Sequence, residues 1–359
     1  MKCVAISGQG SMIEIDTGQT NRIFYVFNNV PGWMPINHMV DLACRLLNAQ
    51  LCDLSTASLS RLTRMRTTLL APPQGGVGGD IFILRNPAEM IKVLGHPAFQ
   101  DKRAFRAIWI IDSFWTHNLV KPVRRLLSYF DVVGYTRQGD AEIYRHLCGD
   151  RAVFLGWGTD ALDLGQDGGE RRWDILRVGR QPPAWDDDTR SEEVFSTHGL
   201  RFHGRPPYNA DPASQHRNLM QNWYAHTKLL IAHSNLAAPA PYTHPTKEYI
   251  TARWTDALAC GAVVAGVQPA QDLTLIDWPG AILHFDNTDL EHSLGPILEA
   301  LQAWTPQVSA NNRLEALRRL DWRWRISKLA DHLGCSTENL KREIQRLDAE
   351  IARQEHNTA

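Results

Sequence analysis

A run of ~20 uninterrupted apolar residues, the length a membrane-spanning helix needs, is missing from the 359-residue chain. Residues 1–10 lack the apolar core of a signal peptide, so a cytoplasmic location is expected. Cysteine is scarce: six residues, no Cys-x-x-Cys pair and no histidine at a zinc-like spacing. Reduced, mostly buried thiols are therefore expected, and neither a disulfide framework nor a zinc site. An excess of one charge is missing too, since 38 Lys+Arg against 39 Asp+Glu leave a formal net charge of −1. No long-range field gathers nucleic acid or anionic membrane around such a protein, and nucleic acid is not an expected partner.

What is present is a globular composition, 43% hydrophobic with a high count of twelve tryptophans. At ~150 residues per domain the length allows two cores. Short β-branched runs alternate with helix-length amphipathic segments, the pattern of parallel α/β units. The first set has expected strands at 23–27, 81–84, 107–111, 131–135 and 152–155, and helices at 36–48, 87–94, 118–129 and 140–147. A Gly- and Asp-bearing stretch without periodicity, 156–172, follows. The second set has strands at 174–178, 201–203, 229–233, 262–265 and 282–285, and helices at 189–197, 217–226 and 248–260. Helices alone follow at 290–304, 309–320, 322–333 and 337–353.

The expected fold class is α/β: two Rossmann-like domains facing across a cleft, with a C-terminal helical tail. The expected division is 1–158, a linker 159–172, 173–320, and a tail 321–359. Ligands of open parallel sheets sit beyond the carboxyl ends of the strands, so residues just after each strand carry the most information. No GxGxxG follows the first strand; the nearest glycine is Gly32, in Pro31-Gly32-Trp33, which disfavours a dinucleotide.

The densest signal is Glu248-Tyr-Ile-Thr-Ala-Arg253-Trp-Thr-Asp256-Ala-Leu-Ala-Cys260-Gly261. With a helix from Glu248, one carboxylate stands at its start and Asp256 about two turns along. Arg253 and Asp256 share a face, where an ordinary ion pair is the plain alternative. Thr246 and Lys247 precede this helix, where backbone amides point outward. Gly179 and Arg180 follow the first strand of the second set, and His244 lies in a proline-rich loop. Asp112 and His117 follow strand 107–111, with helix capping an equal reading for Asp112. Asp186-Asp187-Asp188 has the look of a metal site, but these acids stand at a helix start, where they complement the dipole. The last helix has an apolar stripe, Leu340, Ile344, Leu347 and Ile351, that packs on the body of the protein or forms a homodimer.

Arg253-x-x-Asp256-Ala-Leu-Ala-Cys-Gly-Ala resembles the Arg-x-x-Glu-Ala-Leu-Ala-Cys-Gly segment of GT-B glycosyltransferases, the group 1 and spore-coat-protein-like transferases in particular. Glu248 to Asp256 resembles their E-x7-E motif, with Asp in the second place. Asp174-Ile-Leu-Arg-Val-Gly179-Arg180 resembles the strand and turn that open the donor domain, and Phe154-Leu-Gly-Trp-Gly-Thr-Asp160 the interdomain segment. Asp321-Trp-Arg-Trp-Arg325 resembles the helix that crosses back. The likeness covers roughly residues 105–335.

This resemblance implies transfer of a sugar from a nucleotide-diphosphate sugar to an acceptor hydroxyl of unknown class, with retention and without a metal or other cofactor. It places Glu248 near the donor sugar and Asp256 on the nucleotide ribose. Gly179, Arg180, Thr246, Lys247 and Arg253 would surround the donor, with Asp112 and His117 as the first domain's catalytic candidates. An inverting enzyme would take its general base from Asp112 or His117. A sugar-nucleotide epimerase of the same fold, and a catalytically silent nucleotide-sugar-binding or scaffold protein, are the alternatives.

Overall fold

The computed structural model describes residues 20–56, 72–166, 169–209 and 211–358. The chain forms two compact units that share it in an interleaved way. The first takes the residues up to Asn28, Ile36–Gly156 and Arg325–Glu343; the second takes Asn29–Pro35, Trp157–Trp324 and the residues from Ile344 onward.

The first unit is built on strands β1 (Asn21–Tyr25), β2 (Ala49–Asp53), β3 (Gln74–Leu84), β4 (Arg103–Ile110), β5 (Val132–Tyr135) and β6 (Ala152–Phe154). They form one parallel sheet in the order β2-β1-β3-β4-β5-β6. Ile81, Phe82, Ile83 and Leu84 are all at most 1% exposed, as apolar runs are when helices cover both faces of a parallel sheet. Those helices are α1 (Met34–Leu46), α2 (Met90–Gly95), α3 (Lys121–Leu127) and α4 (Ala141–Cys148). Phe24, Phe82, Phe99, Ile108 and Phe130 form part of the core on one side. Strand β2, which the sequence pattern does not mark, is an edge strand with a single buried residue among five. Helix-forming Arg325–Glu343 closes this unit: Thr337 Oγ1 donates to the Leu46 carbonyl, and Asn339 Nδ2 to Arg45 O at 3.3 Å and Asn48 Oδ1 at 2.6 Å.

The second unit has strands β7 (Trp173–Arg177), β8 (Phe202–His203), β9 (Thr227–Ile231), β10 (Val263–Gly266) and β11 (Ile282–His284), again all parallel, in the order β11-β10-β9-β7-β8. Its helices are α5 (Asp188–Ser196), α6 (Pro212–Asn218), α7 (Ala252–Ala259), α8 (Leu290–Ala303) and α9 (Pro306–Arg319). The chain ends in α10 (Trp322–Leu333) and α11 (Glu338–Thr358). Gly261 (φ 77°) closes α7, and a Cβ there would stand 2.2 Å from Ser309 Oγ, so the turn into β10 requires glycine.

Two local expectations change. The helix expected at 217–226 begins five residues earlier as α6, continues as a π-helical turn Leu219–Trp223 and ends in a 3-10 turn Tyr224–His226. The helix expected from Glu248 begins at Ala252, with Thr251 at its N-cap. The stretch expected as a connecting loop is tightly held: buried Arg323 donates to Asp160 at 2.7 Å and Asp321 at 3.1 Å, and Trp322 N donates to Thr159 O at 2.9 Å. The apolar stripe of α11 turns inward, with Leu340 1% and Leu347 0% exposed. Asp187 caps α5 by accepting from Arg190 N at 3.1 Å, while Asp186 and Asp188 pair with Arg177.

Candidate functional site

At the carboxyl end of the second sheet β7 runs into Val178 and then Gly179, whose φ of 72° is the left-handed conformation that favours glycine. This turn is gripped from α7. Arg253 Nη1 donates to Val178 O at 3.2 Å and Arg180 O at 2.8 Å, and Nη2 to His233 O at 3.3 Å. The expected Arg253–Asp256 ion pair is therefore not formed, because the guanidinium is spent on three carbonyls that tie the ends of β7 and β9. Burial, and then the charge of Arg180, draw Arg253 down to about 10. The larger part of that direction is desolvation, and Arg180 adds a like charge beside it.

Arg180 is half-buried. Its Nε donates to the Ala238 carbonyl, and its Cζ lies 5.5 Å from the centre of the Tyr242 ring. Its two terminal nitrogens have no partner among the described residues. Two arginines thus meet at one turn, and no described carboxylate pairs with either.

The segment leading to α7 differs from its expected form. His244 Nδ1 accepts from Thr246 N at 3.2 Å and Lys247 N at 3.0 Å. The amides of Thr246 and Lys247 therefore point inward onto an imidazole rather than outward. Asn235 Nδ2 locks the same segment by donating to His244 O at 3.0 Å and Lys247 O at 2.9 Å. Glu248, four residues before α7 rather than at its first turn, accepts from Ala270 N at 2.7 Å. These bonds supply the order that a helix from Glu248 would otherwise give.

Asp256 is 2% exposed. Thr159 Oγ1 donates to its Oδ1 at 2.6 Å, and His216 Nε2 lies 2.8 Å from its Oδ2. The acid that position alone assigns to a ribose is thus held inside the unit by two side chains, from the 156–172 stretch and α6. Its spacing gave no hint of either partner. His233 was also missed: the expected strand 229–233 takes it as its last residue, whereas β9 ends at Ile231 and His233 stands two residues beyond it, at the informative end of the sheet. It is fully buried, its Nδ1 accepts from Val267 N at 3.1 Å, and burial and then Arg253 push it down to about 3. Its imidazole is accordingly neutral.

In the first unit, Asp112 stands two residues beyond the end of β4. Its backbone N donates to Arg85 O at 2.7 Å, and its carboxyl makes no hydrogen bond with a described residue. The capping alternative is set aside, since Val120 stands at the N-cap of α3. Burial raises the Asp112 carboxyl to about 7, with Arg85 opposing and Glu89 adding to the rise. A proton acceptor with that value is suited to neutral pH. His117 is exposed in the turn Thr116–Asn118 and stands edge-on to Trp115, with ring centres 5.4 Å apart. Among the described residues no group of three or more His, Cys, Asp or Glu is placed to hold a metal ion, and no helix is long and apolar enough to cross a membrane.

No family model matches the chain, and no curated protein matches it. Solved structures do. HepE from Anabaena, crystallised with UDP, aligns over 88% of this chain and 99% of its own with a TM-score of 0.54 at 12% identity. Sucrose-phosphate synthase from Thermosynechococcus elongatus aligns over 87% and 98%, with a TM-score of 0.52 at 11% identity. A glycosyltransferase from Rickettsia africae aligns over 88% and 98%, with a TM-score of 0.50 at 10% identity. The fold is GT-B. The GT-B likeness extends over nearly the whole length of each of these proteins, and at such identities it speaks for architecture, not for individual residues.

Proposed function

We propose that this protein is a glycosyltransferase that moves a sugar from a nucleotide-diphosphate sugar to an acceptor hydroxyl. The observation that carries the reading is the meeting of Arg180 and Arg253 at the Gly179 turn, with the terminal nitrogens of Arg180 unpartnered among the described residues. Cleaving a glycosidic bond to a diphosphate releases negative charge, and a preformed cationic site stabilises that charge more than the ground state. Arg180 supplies a fork for the diphosphate oxygens, and Arg253 fixes the turn that presents it. UDP in the HepE crystal makes a UDP-sugar the first donor to try.

Retention is part of the proposal and rests on the Glu248-x7-Asp256 resemblance. A leaving phosphate oxygen takes the acceptor proton, and Glu248, anchored by Ala270 N, stabilises the positive charge that develops on the sugar. Asp256 holds Thr159 and His216 and is not assigned to the ribose. Inversion is the second reading, favoured by one observation: the Asp112 carboxyl, raised to about 7 and free of hydrogen bonds to described residues, has the properties of a general base. The anomeric configuration of the product, read by NMR, separates the two.

The proposal includes no required metal, so transfer should survive a chelator. It includes a cytoplasmic location, in keeping with free thiols at all five described cysteines. A homodimer through α11 is not included, because Leu340 and Leu347 are buried within the chain itself. The first test is a thermal-shift series with nucleoside diphosphates and their sugars. A ligand at 100 times its dissociation constant stabilises by ~2.7 kcal/mol, and no shift with any of them would overturn the reading.

A further inference from the structure

Tyr242 stands beside Arg180 in an unusual setting. The side chain is 72% exposed, forgoing the burial that makes aromatic residues valuable to a core. Its backbone is nonetheless firmly held. Thr243 N donates to Ala240 O at 2.9 Å, closing a turn with Pro241 second and Tyr242 third. The Thr243 hydroxyl donates to the same carbonyl at 2.9 Å and accepts from Ala240 N at 3.1 Å. On the near side, Ala238 N donates to Ser234 O at 3.0 Å. A rigid turn thus holds an exposed ring over the Arg180 guanidinium, with the Ala238 carbonyl on Arg180 Nε.

We propose that Tyr242 is a positioning residue that orients Arg180 for the donor diphosphate. This rests on the reading of Arg180 as a diphosphate ligand. A long arginine side chain without a partner samples many rotamers, and fixing one on binding costs affinity. A carboxylate neighbour would fix it but would also neutralise the charge the donor needs. An aromatic face fixes the guanidinium plane while consuming none of its N–H groups. The Ala238 carbonyl takes only Nε, so both terminal nitrogens stay available to phosphate oxygens.

The test uses the full chain and titration calorimetry with three probes: UDP, inorganic pyrophosphate and uridine. Tyr242→Ala should weaken UDP and pyrophosphate by about two- to fivefold, the worth of an exposed cation–π contact. It should leave uridine binding and Tm unchanged. Tyr242→Phe restores the ring and should recover the affinity, whereas Tyr242→Leu should behave as Tyr242→Ala. In an Arg180→Ala background, Tyr242→Ala should have no further effect. Unchanged UDP and pyrophosphate affinity in Tyr242→Ala, or a loss that persists without Arg180, overturns the inference. If Arg180→Ala itself leaves UDP binding intact, or the wild-type chain binds no UDP or pyrophosphate, the donor-site reading falls and this inference with it. A loss in Arg180→Ala without one in Tyr242→Ala removes this inference alone.

Discussion

Five strands run in the same order in both units, the first adding β6 at its edge, and the units differ in what stands at the ends of these strands. In the first, Asp112 stands just past β4, its carboxyl raised to about 7 by burial beside the Arg85–Glu89 pair. In the second, Gly179 and Arg180 stand just past β7, backed by an arginine whose hydrogen bonds among the described residues go to three carbonyls. On the proposed reading, the same five-strand order carries a candidate proton acceptor in one unit and a candidate anion receptor in the other. Topology locates the informative residues; the side chains at the strand ends decide the chemistry.

That division has measurable edges. The largest effect is expected inside the second unit, where Asp256→Ala strips Thr159 and His216 of a shared buried partner. A loss of ~3 kcal/mol in unfolding free energy is expected, read by denaturant unfolding. If stability held and nucleotide binding failed instead, Asp256 would belong to the donor site after all, and the cationic account of this unit would need an acid. Arg180→Ala should lower kcat/KM by ~10²-fold, the scale of removing one donor to a developing anion, with the acceptor KM unchanged. A rise in acceptor KM alone would blur the contrast between the units. On the retaining reading, Asp112→Asn lowers kcat by no more than about tenfold, less than a general base contributes. A far larger loss together with an inverted product would move the proton chemistry to the first unit.

Asp112 and His233 also titrate in opposite senses. A carboxyl raised in the folded state adds stability below its unfolded value and loses it as pH rises through about 7. Asp112→Asn should therefore gain thermal stability at pH 8 relative to wild type, compared with the same pair at pH 4. His233, held down at about 3 against an ordinary 6.5, keeps its contribution above pH 6.5. It loses that contribution as pH falls toward 3, at a slope approaching ~1.4 kcal/mol per unit. The smallest effect follows at pH 5.5, where His233→Asn should flatten the decline in Tm seen in the wild-type chain. An equal decline in the variant would place the acid sensitivity elsewhere.

Much of the architecture was legible because parallel strands advertise themselves as apolar runs, and residues 81–84 and 263–265 do so plainly. Edge strand β2 was not, since its Ala-Gln-Leu-Cys-Asp segment buries one residue and carries little pattern. The Gly179-Arg180 turn was legible from its place after a strand. The conformation around Glu248 was not, because side chains distant in sequence fix it: Asn235 and His244 hold the loop, and Ala270 N takes the acid. The roles of Arg253 and Asp256 were obscured for the same reason. Helical spacing pairs them on one face, whereas the fold offers Arg253 three carbonyls and Asp256 a threonine and a histidine. Local periodicity carries no record of such partners.

The return of Arg325–Glu343 to the first unit bears on how the protein is made. That unit begins the chain, yet its closing segment, which bonds to Leu46 and Arg45, leaves the ribosome after the whole second sheet. Folding strictly unit by unit in order of synthesis is therefore closed to this chain. Cutting the gene after Gly156 would release an N-terminal product that lacks the segment bonded to Leu46 and Arg45, so that product should not behave as an independent domain.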